Sequence, residues 1–332
     1  MNCEFYRIKR AFLVLAVLIP ASLMCRSQSE IKLQPATLAI LDAFRSHDIV
    51  MLGEAHGNKQ EYDWLRSLIA TPEFADQVDD IVMEFGNSLY QKSVDRYTRG
   101  EDVPLEDVQR AWRNTVAAVG PPSPVYASLY QAVRETNMQR RGKHQIRILC
   151  GDPNIDWQQV KEGKDILPFL GTREQTYARV VKEEVLAKHH RALLIMGAFH
   201  FMRHLDFMPN RKQFDIEQEL LADGANPYLI VVGTNTTGGP EGLDSRFDAW
   251  TAPVIVPLSG NWVGDLPAIP VVTEGHGPPL QTPKLKDAAD AMLYLGPRDN
   301  LIVIPMTPAE LRGTPYGDEI ERRKRLQMSL EK

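Results

Sequence analysis

The chain has 332 residues, 43 % of them apolar and 24 % charged, with a formal net charge of −5. These are the proportions of an ordinary globular protein with material for one large α/β domain or two small ones, and the acidic balance argues against a nucleic-acid partner. Of the three cysteines, Cys3 and Cys25 lie in the N-terminal segment and leave Cys150 alone, which excludes a disulfide framework in the mature chain.

The N-terminus places Arg7, Lys9 and Arg10 before the apolar run Ala11–Ala21, followed by small and polar residues to Ser29. This is the form of a secretory signal peptide, residues 1–27, too short for a confident membrane span. Its removal takes four cations and one acid, so the charge moves from −5 to about −8. The expected location is periplasmic or secreted. Membrane attachment would come only through the signal or a lipid anchor at Cys25, which is the weaker reading because the bulky Met24 precedes it. Residues 28–332 are read as a single domain.

Leu38, Leu41 and Phe44 follow Pro35 at helical spacing and predict a first helix over 33–44. Next comes Ile49-Val50-Met51-Leu52-Gly53-Glu54-Ala55-His56-Gly57. A continuous apolar run of this length fits a strand buried on both faces, as in a parallel sheet. Such sheets bind ligands beyond the carboxyl ends of their strands, where Glu54 and His56 fall. The competing reading is a strand-to-helix turn with a capping Glu and a solvated His. A helix over Lys59–Ile69 leaves this turn with its N-terminus toward the proposed site.

Ile81-Val82-Met83-Glu84-Phe85-Gly86 is the second strand of this kind. A carboxylate in such a run must be paired, metal-bound or protonated, because an isolated buried charge costs several kcal/mol; the alternative is an outward-facing edge residue. From Ser88 to Arg141 the apolar spacing is helical, broken at Gly120–Pro124 with Ser123 as a cap. This insertion forms either a wall over the site or a packing layer. Ile146–Pro153 is the third strand and ends in Gly151 and Asp152, where Asp152 either orients a histidine and binds substrate or makes an Asp-Pro turn. Asp156 and Trp157 follow closely.

Thr172–His190 reads as a charged helix with His189 and His190 complementing its C-terminal dipole. The fourth strand, Ala192–Gly197, leads to His200 and repeats the form Gly-x-x-His; Arg203 and His204 come after it. A short helix over 215–221, a strand over Tyr228–Thr234, Pro-rich loops and short strands over 253–283, closing strands at 290–297 and Leu301–Ile304, and a charged helix over 316–332 complete the chain. The fold expected is α/β: a central, mostly parallel sheet with helices on both faces and a helical insertion over the strand ends.

The strand ends thus collect Glu54, His56, Glu84, Asp152 and His200. Glu54, His56, Glu84 and His200 are the expected catalytic groups, and Asp152, Asp156, Trp157 and Arg203 the expected substrate contacts. One chemistry uses histidine or glutamate as general base on water without a metal. Another uses His56, Glu84 and His200 to bind a divalent ion, for which mixed nitrogen and oxygen donors suit zinc, manganese or cobalt. No Gly-x-Ser-x-Gly elbow, Walker A loop or Gly-x-Gly-x-x-Gly fingerprint is present.

Leu52-Gly53-Glu54-Ala55-His56-Gly57, Met83-Glu84-Phe85, Gly151-Asp152-Pro153 and Gly197-Ala198-Phe199-His200 resemble the scattered motifs of the erythromycin esterase, ChaN and Tiki/TraB superfamily. The resemblance runs from about Ile49 to His200, with a weaker echo at Leu293–Pro297. It implies a sheet flanked by helices, a pocket at the strand ends, and Glu54, His56, Glu84 and His200 as functional residues. The esterase branch opens macrolide lactones with a histidine base, the Tiki branch is described as metal-dependent proteases, and the ChaN branch binds haem. Only Ala55 separates Glu54 from His56 where the esterases usually have two residues, which brings the chain nearer the ChaN-like branch. The expectation is a hydrolase acting on an ester or amide of a small molecule or peptide, with a divalent metal as an option. The alternative is a haem-binding protein without turnover, with His56, His200 or a tyrosine such as Tyr90 on the iron.

Overall fold

A computed structural model describes residues 31–116, 124–204, 216–233, 245–268, 283–305 and 311–330. The expected signal peptide, Cys25 and the Gly120–Ser123 break lie outside the described residues. Eight strands form one sheet: β1 (Gln34–Pro35), β2 (Ile49–Glu54), β3 (Asp80–Asn87), β4 (Arg147–Asp152), β5 (Ala192–Gly197), β6 (Pro227–Val232), β7 (Val254–Pro257) and β8 (Ala291–Tyr294). Their order is β1-β7-β8-β6-β2-β5-β3-β4. All pairings from β8 through β4 are parallel, and β7 is antiparallel to both β8 and β1. This is the mostly parallel α/β architecture expected.

The helices α1 (Ala36–Ala43), α2 (Lys59–Ile69), α3 (Pro72–Gln77), α4 (Gln91–Thr98), α5 (Leu105–Arg113) and α6 (Val125–Gln139) pack on one face of the sheet. After α7 (Leu167–Gly171), helices α8 (Arg173–Glu184), α9 (Ile216–Ala222) and α10 (Leu285–Ala288) cover the other face. The switch of face follows from handedness. The chain runs from β2 out to β3 and β4, then back through β5 to β6, and right-handed crossovers in opposite directions must lie on opposite faces.

Strand periodicity divides the side chains between these layers. Val50, Leu52, Ile81 and Met83 join the α1–α6 core, whereas Ile49, Met51 and Val82 join the α8–α10 core. Extending the alternation by two residues sends Glu54 toward α2 and α6 and Glu84 toward α8. The C-terminal helix α11 (Pro315–Met328) closes a small third cluster around Ile155, Trp157 and Val160, which Leu326 packs against.

Some elements differ from the sequence reading. The first helix is shorter because Gln34 and Pro35 pair with β7 as an edge strand. Leu301–Ile304 is no strand: Val303 makes a single antiparallel bridge to Asn58. The helix expected to reach His190 ends at Glu184, and His190 Nδ1 lies 2.7 Å from the buried carboxylate of Asp80 instead of serving a helix end. No described helix is long and apolar enough to cross a membrane.

Candidate functional site

The ends of β2, β5 and β3 lie side by side, with β5 in the middle. Glu54 is the last residue of β2 and pairs in register with Gly197, the last of β5. Glu54 is buried against α2 and α6, where the Tyr62 hydroxyl donates to Oε2 and the Tyr126 hydroxyl donates to Oε1 over 3.1 Å. The same Oε1 lies 2.6 Å from His56 Nδ1. A carboxylate at Nδ1 fixes the ring orientation and leaves Nε2 pointing outward. The His56 side chain is 43 % exposed, so the site reaches solvent through it.

Glu84 approaches from the other layer of the sheet. Its Oε2 accepts the Gly197 amide over 2.7 Å, and its Oε1 accepts Arg173 Nη2 over 2.9 Å. His200 Nε2 stands 3.4 Å from Oε1, and its Nδ1 lies 2.8 Å from Glu174 Oε1. Arg173 also donates through Nε to the buried Asp152 over 2.8 Å, and Tyr177 donates to the same Asp152 oxygen over 3.0 Å. One guanidinium therefore compensates two buried carboxylates, as burial of such charges requires.

Gly197 is the floor on which these groups meet. A Cβ there would fall 2.8 Å from His56 Cε1, 2.9 Å from His56 Nε2 and 3.3 Å from Glu84 Oε2. With no side chain in the way, His56 Nε2 comes within 4.0 Å of Glu84 Oε2. Gly57, at φ +77°, turns the chain away immediately after the histidine.

The electrostatics follow from the pairing. Burial lowers the His56 pKa, but the Glu54 charge and hydrogen bond outweigh it and push it up to about 9. For His200, burial also lowers the pKa, and Glu84 and Glu174 raise it to about 9. Burial raises the Glu84 carboxyl, yet the neighbouring His200 and Arg173 cations hold it well below the usual carboxylate range. Glu61 on α2 goes the other way: burial and the Glu54 charge raise its carboxyl pKa well above that range, while its Oε2 accepts the Ala55 amide over 3.0 Å.

Among the described residues, the group of donors close enough for one metal ion is Glu54, His56 and Glu84, all within 4.8 Å of one another. His200, expected in that set, is replaced by Glu54 because both its ring nitrogens turn to Glu84 Oε1 and Glu174. The three donors fit a catalytic ion poorly. Glu54 accepts from Tyr62 on Oε2 and holds Tyr126 and His56 on Oε1, about three of its four lone-pair positions, which suits it to orient the histidine. The donors left uncommitted are His56 Nε2, Glu84 Oε2 and one position on Glu54 Oε2, a bare minimum for catalytic zinc with Arg173 already neutralising Glu84. Tyr90, offered as one of the alternative iron ligands, belongs to a different cavity from the two histidines. Tyr90 accepts from Asn114 over 3.0 Å and lines a separate open cavity of about 630 Å³ whose lining includes neither His56 nor His200.

The expected substrate contacts distribute differently. Asp152 is fully buried and ion-paired with Arg173. Asp156 and Trp157 line the separate cavity, and the Trp157 indole donates to the Thr115 carbonyl over 3.1 Å. Arg203 is held between Glu217 and Asp290, at 2.6 Å and 2.9 Å. Sequence reasoning missed Arg173, Glu174, Tyr62 and Tyr126. Arg173 had a legible signal: it is a cation in the first turn of a helix, opposed to the dipole, which asks for an external partner.

The fold and site together define an α/β protein with a Glu/His cluster at the carboxyl rim of a parallel sheet. No protein-family model matches the chain, and no curated protein does. Among solved structures, a Bacillus cereus protein is similar at 13 % identity and TM-score 0.50, over 80 % of this chain and 95 % of that one, a likeness of fold. The type III effector HopBA1 matches at 13 % identity over 64 % of this chain and 90 % of its own, with TM-score 0.37. ChaN of Campylobacter jejuni, described with cofacial haem binding, matches at 12 % identity over 59 % and 84 %, with TM-score 0.31. The last two likenesses bear on neither activity nor ligand.

Proposed function

We propose that the protein is a hydrolase of esters or amides in which His56 activates water, oriented by Glu54 and assisted by Glu84. The observation that carries this reading is the 4.0 Å separation of His56 Nε2 and Glu84 Oε2. A water bonded to both at about 2.8 Å would subtend roughly 90° between them, close to its own geometry. With neutral His56 protonated on Nδ1 toward Glu54, Nε2 and Oε2 are both acceptors. The water then donates one hydrogen to each and leaves an oxygen lone pair for attack on a carbonyl carbon.

In that step the water oxygen bonds to the carbonyl carbon and its proton passes to His56 Nε2. The imidazolium returns the proton to the departing alkoxide or amine as the carbon–heteroatom bond breaks. Arg173 and His200 keep Glu84 ionised, so the carboxylate remains an acceptor. The test is hydrolysis of a panel of uncharged p-nitrophenyl esters and anilides by purified protein at pH 7 to 9. Turnover lost by a factor of about 100 or more in both His56→Ala and Glu84→Gln supports the proposal. Turnover equal in wild type and His56→Ala overturns it.

A further inference from the structure

The described exposed large hydrophobic residues include two on segments that leave the carboxyl ends of β5 and β3, and two more on the segment that follows β8 and crosses to the end of β2. Phe199 lies between Gly197 and His200 at the end of β5. Leu89 lies two residues beyond β3, and its amide is tied to the Asn87 side chain over 2.8 Å. Ile302 and Val303 are brought beside β2 by the backbone: Lys59 donates to the Ile302 carbonyl and Ile304 donates to the Gly57 carbonyl, both over 2.8 Å. The Val303 side chain reaches within 3.6 Å of the position a Gly57 Cβ would occupy, next to His56.

We infer that Phe199, Leu89, Ile302 and Val303 form an apolar rim that binds the hydrocarbon portion of an uncharged ester or amide whose carbonyl sits at His56. This names the substrate class of the proposed hydrolytic site and rests on that reading for the reaction, though not for the binding. Exposed apolar side chains of this size are ordinary when scattered, but gathered at a polar site they mark a binding surface. Chemistry favours an uncharged ligand. The rim side chains carry no charge, and Arg173, the cation behind the site, is already shared between Glu84 and Asp152. Three adjacent strand ends span roughly 10 Å, the length of an extended chain of about eight carbons.

The test compares p-nitrophenyl acetate with p-nitrophenyl octanoate, and N-butyl acetamide with N-butyl octanamide as ligands followed by the His56 ring resonances. The rim predicts kcat/KM at least about tenfold higher for the octanoate, and octanamide binding at least about tenfold tighter than acetamide binding. In Phe199→Ser and in Val303→Ser both ratios fall to about threefold or less, and Phe199→Leu restores much of the preference. Equal turnover of acetate and octanoate overturns the rim and leaves the hydrolase standing. No ester turnover, with octanamide still shifting His56 and weakened by Phe199→Ser, supports the rim and overturns the hydrolase. Octanamide that leaves the His56 resonances unmoved overturns the rim.

Discussion

His56 and Glu84 come from strands that are not neighbours, yet Nε2 of one faces Oε2 of the other across 4.0 Å, directly above the amide of Gly197 that holds Glu84 in place. The strand between them ends without a side chain, and that absence lets an imidazole from one layer of the fold meet a carboxylate from the other.

The first prediction concerns that floor. Gly197→Ala places a methyl within 3 Å of the His56 ring, at 2.8 Å from Cε1 and 2.9 Å from Nε2. The backbone angles at Gly197, φ −51° and ψ 138°, suit any residue, so the cost is steric only. Urea unfolding is expected to show a loss of about 1–3 kcal/mol, and the His56 resonances to shift as the ring moves off Glu84.

The second concerns Glu54. In Glu54→Gln the charge and hydrogen bond that do most to lift His56 to about 9 are gone, and burial is then opposed only by the remaining neighbouring carboxyls, Glu84 first. A proton-detected titration of the His56 ring should show the pKa falling by roughly one unit or more. A value still near 9 would mean that some other group holds the proton.

The third is the pH profile. His56 is largely imidazolium at pH 7 because its pKa is raised to about 9, so hydrolysis should climb with pH and level off near 9. Stability runs the opposite way. A raised histidine stabilises the fold fully below its unfolded value of 6.5 and loses that contribution as pH rises through about 9, and His200 behaves alike. Thermal unfolding between pH 6 and 10 should therefore show Tm declining while the rate rises. Glu84 acts on the acid side, its depressed pKa stabilising above the unfolded value and failing as pH falls through the folded one.

The fourth is the shared guanidinium. Arg173→Met strands Glu84 and Asp152 as buried charges and should cost ~3–5 kcal/mol in urea unfolding. Glu84→Gln and Asp152→Asn together in that background should recover a large part of the loss, since they remove the unpaired charges. An Arg173→Met protein as stable as wild type would mean that the two carboxylates are already neutral.

The fifth concerns metal. With Glu54 engaged by His56, Tyr62 and Tyr126, chelator treatment is expected to leave ester turnover within about twofold of the untreated protein. Elemental analysis showing one ion per chain, with turnover abolished by chelation and restored by zinc, would instead return Glu54 to the role of ligand.

Much of the fold is legible in the chain because buried parallel strands are continuous apolar runs. Ile49–Leu52, Ile81–Met83 and Ala192–Met196 each stand out, and each stops at the residues that carry the chemistry. The Pro-rich stretch from 253 reads as loops and short strands, which fits β7, but nothing local in it specifies the antiparallel pairing with β8 and β1. His190 shows a different limit, since a histidine near a helix end looks the same whether it faces water or the Asp80 carboxylate.

The sequence by itself determined that Glu54, His56, Glu84 and His200 follow buried apolar runs, because hydrophobic patterning is local. Only the tertiary structure decided their surroundings. Strand order put Gly197 between Glu54 and Glu84, alternation sent one carboxylate to the tyrosines and the other to Arg173, and His200 was drawn toward Glu174 and away from His56. Those outcomes depend on which distant segments become neighbours, and the free energy of burying a charge is settled by neighbours that no local pattern specifies.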